Sequence, residues 1–195
     1  MNVQFTDKTE SIFKSTLLLI KDNGFHGTPM SQIAKHAEVA IGTIYHYFPS
    51  KENLILHLFE YCRKELYAYI FQNVHPTMPY KEQFFTVFRS FSKFHIEQRE
   101  YSCFFEQFYN SPYHEMIRTK EHEEGPYAQN AFIKFIQAGI ADKAIKPLNE
   151  QIICAAYIGA AITYAKNIVY GRNEHNEQEL TDLITIIWDG IKYND

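Results

Sequence analysis

An all-α fold is predicted by three observations on the 195-residue sequence. Apolar residues recur at three- and four-residue spacing almost throughout, no alternating β-branched run bounded by hairpin turns occurs, and proline or glycine breaks the pattern at helix-length intervals. A chain of this length can bury one sizeable core, or a small domain continuous with a larger one, without staples. The three cysteines, Cys62, Cys103 and Cys154, are widely spaced and never form C-x-x-C. They predict neither a disulfide framework nor a zinc site, and they suit a reducing cytoplasm. The N-terminal "MNVQFTDKTESIF" has no basic stretch followed by an apolar run, and no later window is expected to approach the ~20 apolar residues a bilayer needs. A soluble protein that is not exported and has no membrane partner is expected.

Ile12, Phe13, Thr16, Leu17, Leu19 and Ile20 mark a first helix over about 7–22, with Gly24 as its stop. Thr28 followed by Pro29 predicts the next helix start, the threonine oxygen capping free amides and proline needing none. Met30, Ile33, Ala34 and Ala37 give that helix a buried stripe about two turns long, and a turn follows over 37–40. Ile44 and Phe48, at i and i+4, form the inner face of a second short helix. Pro49 ends it, Ser50 caps a fourth helix, and Leu54, Ile55, Leu58 and Phe59 carry that one forward. Short helices joined by a turn of three or four residues describe a helix-turn-helix.

Pro76 and Pro79 mark a bend over 73–82, after which Phe84, Phe85, Phe88, Phe91 and Phe94 form an aromatic stripe. Gly125 and Pro126 break the chain again, and Phe132, Ile133, Phe135, Ile136 and Ile140 mark a helix ending before Pro147. Two last helices lie in "NEQIICAAYIGAAITYAKNIVYG" and "EQELTDLITIIWDGIKY". The expected division is 1–50 as a helix-turn-helix domain and 51–195 as a larger helical domain, the fourth helix connecting them.

Charge is uneven. The formal net charge is −4, yet residues 1–64 hold seven Lys or Arg against six Asp or Glu, while 65–195 hold twelve against seventeen. Only the N-terminal third would tolerate a polyanion, helped below neutral pH by His26, His36, His46 and His57.

The stretch "TPMSQIAKHAEVAIGTIYHYFPSKENL", residues 28–54, resembles the DNA-binding domain of the TetR (tetracycline-repressor-like) family of bacterial regulators. The match to T-x-x-x-I-A-x-x-A-G-V-S-x-G-T-L-Y-x-Y-F-x-S-K-E-x-L runs through Ile33, Ala34, Ala37, Val39, Gly42, Thr43, Tyr45, Tyr47, Phe48, Ser50, Lys51, Glu52 and Leu54. The resemblance implies a homodimeric regulator, most simply a repressor, that binds a near-palindromic double-stranded operator. It also implies a C-terminal helical domain that holds a small apolar or aromatic effector whose binding releases the DNA. No enzymatic activity and no cofactor are implied. Three positions depart from the signature: Glu38 replaces the turn glycine, Ala40 replaces a capping serine, and Ile41 stands where polar or basic residues are usual. They motivate a second reading, a helical binder of lipids or small molecules, with or without enzymatic activity, that has lost DNA binding.

A recognition helix from about Ala40 to Tyr47, with Ile44 and Phe48 inward, leaves Ile41, Gly42, Thr43, Tyr45, His46 and Tyr47 at or near its outer face. Hydroxyls and backbone amides can hold phosphate without arginine, which suits Tyr45 and Tyr47, while Gly42 permits close approach. Lys51 at the start of the fourth helix resembles a phosphate contact of the family, Thr28 and Ser31 at the start of the second helix suit the same strand, and His46 suits a position facing solvent or near phosphate more than one reading a base. For bases, Thr43 offers a hydroxyl or a methyl, and Ile41 or Ala40 suits thymine methyl groups; packing of Ile41 inside the domain is equally open. Lys51 and Lys35 from two subunits would engage about four phosphates.

For the effector, the expected lining is Phe88, Phe91, Cys103, Phe104, Phe108, Tyr127, Phe135, Tyr157 and Tyr164, with a plain packed core as the alternative. Small Ala156, Gly159 and Ala160 permit close helix approach, and Leu180, Leu183, Ile184, Ile187, Trp188 and Ile191 form an apolar stripe. The resemblance makes these two helices the dimer interface, burial within one subunit being the alternative. His114, Glu115, His122, Glu123 and Glu124 lack the H-E-x-x-H spacing and read as a solvated helix end, so no metal is expected.

Overall fold

The computed structural model describes residues 7–117 and 131–193. Helices among them are α1 (Asp7–Asn23), α2 (Met30–His36), α3 (Ile41–Tyr47), α4 (Lys51–Phe71), α5 (Tyr80–Glu97), α6 (Arg99–Tyr109), α7 (Ala131–Ala141), α8 (Glu150–Val169) and α9 (Glu177–Ile191), and residues 112–117 are helical as well. No strand forms among the described residues, which hold one isolated antiparallel bridge, Ile145 with Lys192.

The chain divides into two compact units, one from the start to Lys64 with Gln98–Pro126, the other Glu65–Glu97 with the residues from Tyr127 onward. This division differs from the 1–50 and 51–195 expected: α6 joins the N-terminal unit, and the boundary falls inside α4.

In the first unit α1 packs on α2 and α6, and α2 packs on α3. Phe13 lies at its centre, its ring 5.4 Å from Phe48 and 5.1 Å from Tyr61. Gly24, at φ 68°, ends α1 as the sequence predicts. The turn after α2 closes as a left-handed cap: Glu38 N–H donates to Lys35 O at 3.3 Å and Val39 N–H to Ala34 O at 3.0 Å. Glu38 therefore stands at φ 54°, where glycine is at ease and glutamate costs roughly 1 kcal/mol. Ser50 Oγ accepts from Asn53 N–H at 3.2 Å and caps α4. On the other side of α1, Gln107 of α6 donates to Ile20 O at 3.1 Å.

In the second unit α8 packs along α5 and also meets α7 and α9, while α9 meets α5. Asn149 and Asn176 cap α8 and α9 by accepting from backbone amides of their first turns. Arg89 of α5 donates to Thr181 of α9 at 3.1 Å. The chain end is pinned by Lys146 N–H to Ile191 O at 2.7 Å and Tyr193 N–H to Ala144 O at 3.1 Å. One sequence expectation needs correction: α8, 20 residues with mean hydropathy 1.5, is long and apolar enough to span a bilayer. Its packing against three helices makes it a bundle helix, and most of its residues lie outside the core of the subunit.

Candidate functional site

The outer face of α3 is built by what holds its inner face. Ile44 is fully buried and Phe48 nearly so, which fixes the roll of the short helix. Ile41 and Tyr45, one turn apart, then project outward at 43% and 49% exposure. Gly42 and His46 are exposed beside them, Thr43 and Tyr47 half-buried. A carbon added at Gly42 would meet nothing within 4 Å, so the backbone there is open to close approach. Ala40 caps α3 without any side-chain hydrogen bond, as its replacement of serine predicts. On α2, Ser31, Gln32 and Lys35 are exposed.

Two residues expected at this surface have other partners. Thr28 is fully buried, and its hydroxyl donates to Gly24 O at 2.8 Å, so it ties the α1–α2 turn and cannot reach phosphate. Pro29 occupies the cap position of α2, with no side-chain hydrogen bond there. The Lys51 ammonium donates to Phe25 O, and its half-burial lowers its pKa, a shift that Glu52 opposes. Two of its three N–H groups remain available to a phosphate.

The nine residues expected to line an effector site are divided between the units. Cys103, Phe104 and Phe108 belong to the first. There Phe104 and Phe108 are fully buried, and the Phe108 ring stacks on Phe59 at 4.2 Å. Phe88, Phe91, Phe135, Tyr157 and Tyr164 belong to the second unit, and Tyr127 lies outside the described residues. Tyr157 is the hub of that unit: its ring is 4.7 Å from Phe84, 4.7 Å from Phe88 and 4.9 Å from Phe132. Its hydroxyl donates to Phe84 O at 2.9 Å, and full burial pushes its pKa well up. Tyr164 points away from the rings, its hydroxyl 3.0 Å from His175 Nδ1 and donating to Asn176 O at 3.1 Å.

Sequence reasoning missed two polar residues inside the phenylalanine stripe of α5. Ser92 is fully buried, and its hydroxyl has no partner among the described residues. His95, one turn on, lies against Phe91 at 4.7 Å, and burial, with the nearby Lys166 charge acting in the same direction, lowers its pKa to about 4. The signal was present in "FRSFSKFH", where a serine and a histidine share the spacing of the rings. The candidate metal group around His114 and His122 is partly outside the described residues, and among those described no set of three ligands gathers.

The expected dimer face also divides. Leu180, Ile184, Trp188 and Ile191 face inward and are buried in the subunit, so they are core, whereas Leu183 and Ile187 are half-buried. The uncovered side of α9 carries Ile186 at 71% exposure, and that of α8 carries Ile152 at 66%, followed at helical spacing by exposed Ala155, Ala156 and Gly159; Ala160 is half-buried.

Residues 12–58 match the family model for bacterial regulatory proteins of the tetR family, and residues 79–192 match that for the tetracyclin repressor-like C-terminal domain. The chain belongs to the TetR family. It is similar over 53 residues, at 43% identity, to the fatty acid metabolism regulator protein of Bacillus subtilis, a stretch that spans 27% of each chain. Its fold is similar to that of a TetR-family regulator from Haemophilus influenzae, with a TM-score of 0.82 at 22% identity over 95% of this chain and 97% of that one. It is also similar to Bacillus subtilis FadR, crystallised with stearoyl-CoA, with a TM-score of 0.71 at 22% identity over 92% and 95% of the two chains. Matches to such curated relatives cover about a quarter of those proteins' length. Within this TetR-family chain the helix-turn-helix keeps its shape despite Glu38 and Ala40, and Ile41 faces out rather than into the domain.

Proposed function

We propose that this protein is a homodimeric, cytoplasmic transcriptional repressor. It binds a near-palindromic operator through α3 of each subunit and is released by a small apolar effector. The observation that carries the reading is the outward presentation of Ile41, Gly42, Tyr45 and His46 over a buried Ile44 and Phe48. Ser31, Lys35, Tyr47 and Lys51 flank that face as phosphate contacts, with Thr43 beside the bases. The second subunit covers the uncovered sides of α8 and α9, where Ile152 and Ile186 are too exposed for a lone chain and small Ala156 and Gly159 let helices approach closely. The same covering accounts for the high hydropathy of α8 without a membrane.

The effector would enter the second unit among Phe88, Phe91, Phe135 and Tyr157, with Ser92 as a polar contact. The stearoyl-CoA complex of Bacillus subtilis FadR supports an effector with a long apolar part. Its binding would favour a dimer whose recognition helices no longer match both half-sites. A mobility-shift titration with the DNA flanking this protein's own gene tests the reading. A complex that stearoyl-CoA or a free fatty acid dissolves is the expected result. Lack of any complex would leave the helical ligand-binding alternative, and a complex indifferent to every apolar probe would leave a constitutive binder.

A further inference from the structure

The seven residues of α3 include no arginine, lysine, asparagine or glutamine, the side chains that read guanine or adenine by paired hydrogen bonds in the major groove. Ile41 in the first turn and Tyr45 in the next project instead, with Gly42 open between them and exposed Ala40 just before. The His46 ring lies edge-on to Tyr47 at 5.4 Å, and Thr43 is half-buried. Ser31, Gln32 and Lys35 are exposed polar groups on the preceding helix, but they lie on α2, and the first helix of such a pair crosses the phosphate backbone; exposed Glu38 lies in the turn between the two helices and carries a negative charge. An exposed β-branched aliphatic side chain gains free energy only when something apolar covers it. Among base edges in the major groove, that group is the C5-methyl of thymine.

We infer that α3 reads its operator through thymine methyl groups, with Ile41 as the contact and the Tyr45 ring beside it. The inference rests on the DNA-binding reading above. Each half-site then carries a thymine facing Ile41. Because no hydrogen bond is read at that base, 5-methylcytosine, which holds the same methyl group, substitutes for thymine there, whereas uracil and cytosine do not.

The full-length protein is used to enrich duplexes from a random library, and the enriched site is resynthesised with uracil for thymine at one position at a time. One position per half-site is expected to lose about 4-fold in affinity on losing its methyl, and about 16-fold when both half-sites are changed. At that position 5-methylcytosine binds about 4-fold tighter than cytosine. The Ile41→Ala variant abolishes the thymine–uracil difference, and Ile41→Val, which keeps the fold and part of the contact, retains a fraction of it. If no duplex is enriched, the DNA-binding reading fails and this inference with it. If a duplex is enriched but every uracil substitution is neutral, or Ile41→Ala still distinguishes thymine from uracil, methyl reading is overturned while DNA binding stands.

Discussion

The two units use the same residue types in opposite ways. In the first, Tyr45 stands half-exposed on α3, and its neighbours on the outer face are an isoleucine, a glycine and a histidine. In the second, Tyr157 is fully enclosed by Phe84, Phe88 and Phe132 and gives its only proton to a backbone carbonyl, while four of the six exposed positions of α8 are isoleucine, alanine or glycine, the other two being Gln151 and Thr163. Aromatic rings turned outward with their hydroxyls suit a wet, polar partner such as DNA. Small and aliphatic residues turned outward suit a dry helix-to-helix contact. The contrast assigns a different kind of partner to each unit.

The largest effect should come from breaking the dry surface. Replacing both Ile152 and Ile186 with glutamate places like charges across a twofold axis, and operator affinity should fall at least ~100-fold as the protein sediments as a monomer. A dimer that survives both changes would move the interface elsewhere.

Acid should separate the units next. The folded protein holds the His95 pKa at about 4 against an ordinary 6.5, so the unfolded chain binds that proton first as pH falls. The contribution is fully present above pH 6.5 and is lost progressively down to about pH 4, on the order of 3 kcal/mol. Denaturant titrations across this window should show a shallower pH slope for His95→Leu than for the unaltered chain. Equal slopes would place the imidazole in water.

Packing of the second unit is tested at Gly139. A carbon added there would lie 2.2 Å from Tyr80 Cζ, and that ring is stacked on Phe135 at 4.9 Å with its hydroxyl on Phe135 O. Gly139→Ala should cost about 2 kcal/mol despite the better helix propensity of alanine. The smallest effect belongs to the first unit, where Glu38→Gly should stabilise by about 1 kcal/mol in thermal unfolding, because φ 54° suits glycine.

Local features of the chain were legible in advance. Gly24 and Ser50 are where the helix ends require them, and the strain at Glu38 follows from a glutamate in a glycine position. What sequence could not supply is which neighbour covers a side chain. The α9 helix is apolar on two faces, and periodicity alone does not say that Leu180, Ile184, Trp188 and Ile191 turn inward while Ile186 stays out. The same limit applies to Phe104 and Phe108, which share the spacing of the α5 rings yet belong to the other unit. Thr28 looked like a helix cap, but its hydroxyl found a carbonyl one turn back in the chain, and Lys51 looked like a free cation although the Phe25 carbonyl lies within its reach.

The central claim is a twofold grip on DNA that relies on fit more than on charge. A salt titration of the protein on the DNA flanking its own gene, with stoichiometry read from the same complexes, tests it most directly. Two chains per site and a log–log salt slope near −4 are expected if Lys35 and Lys51 of each subunit engage phosphate. One chain per site, or a slope near −10, would contradict it.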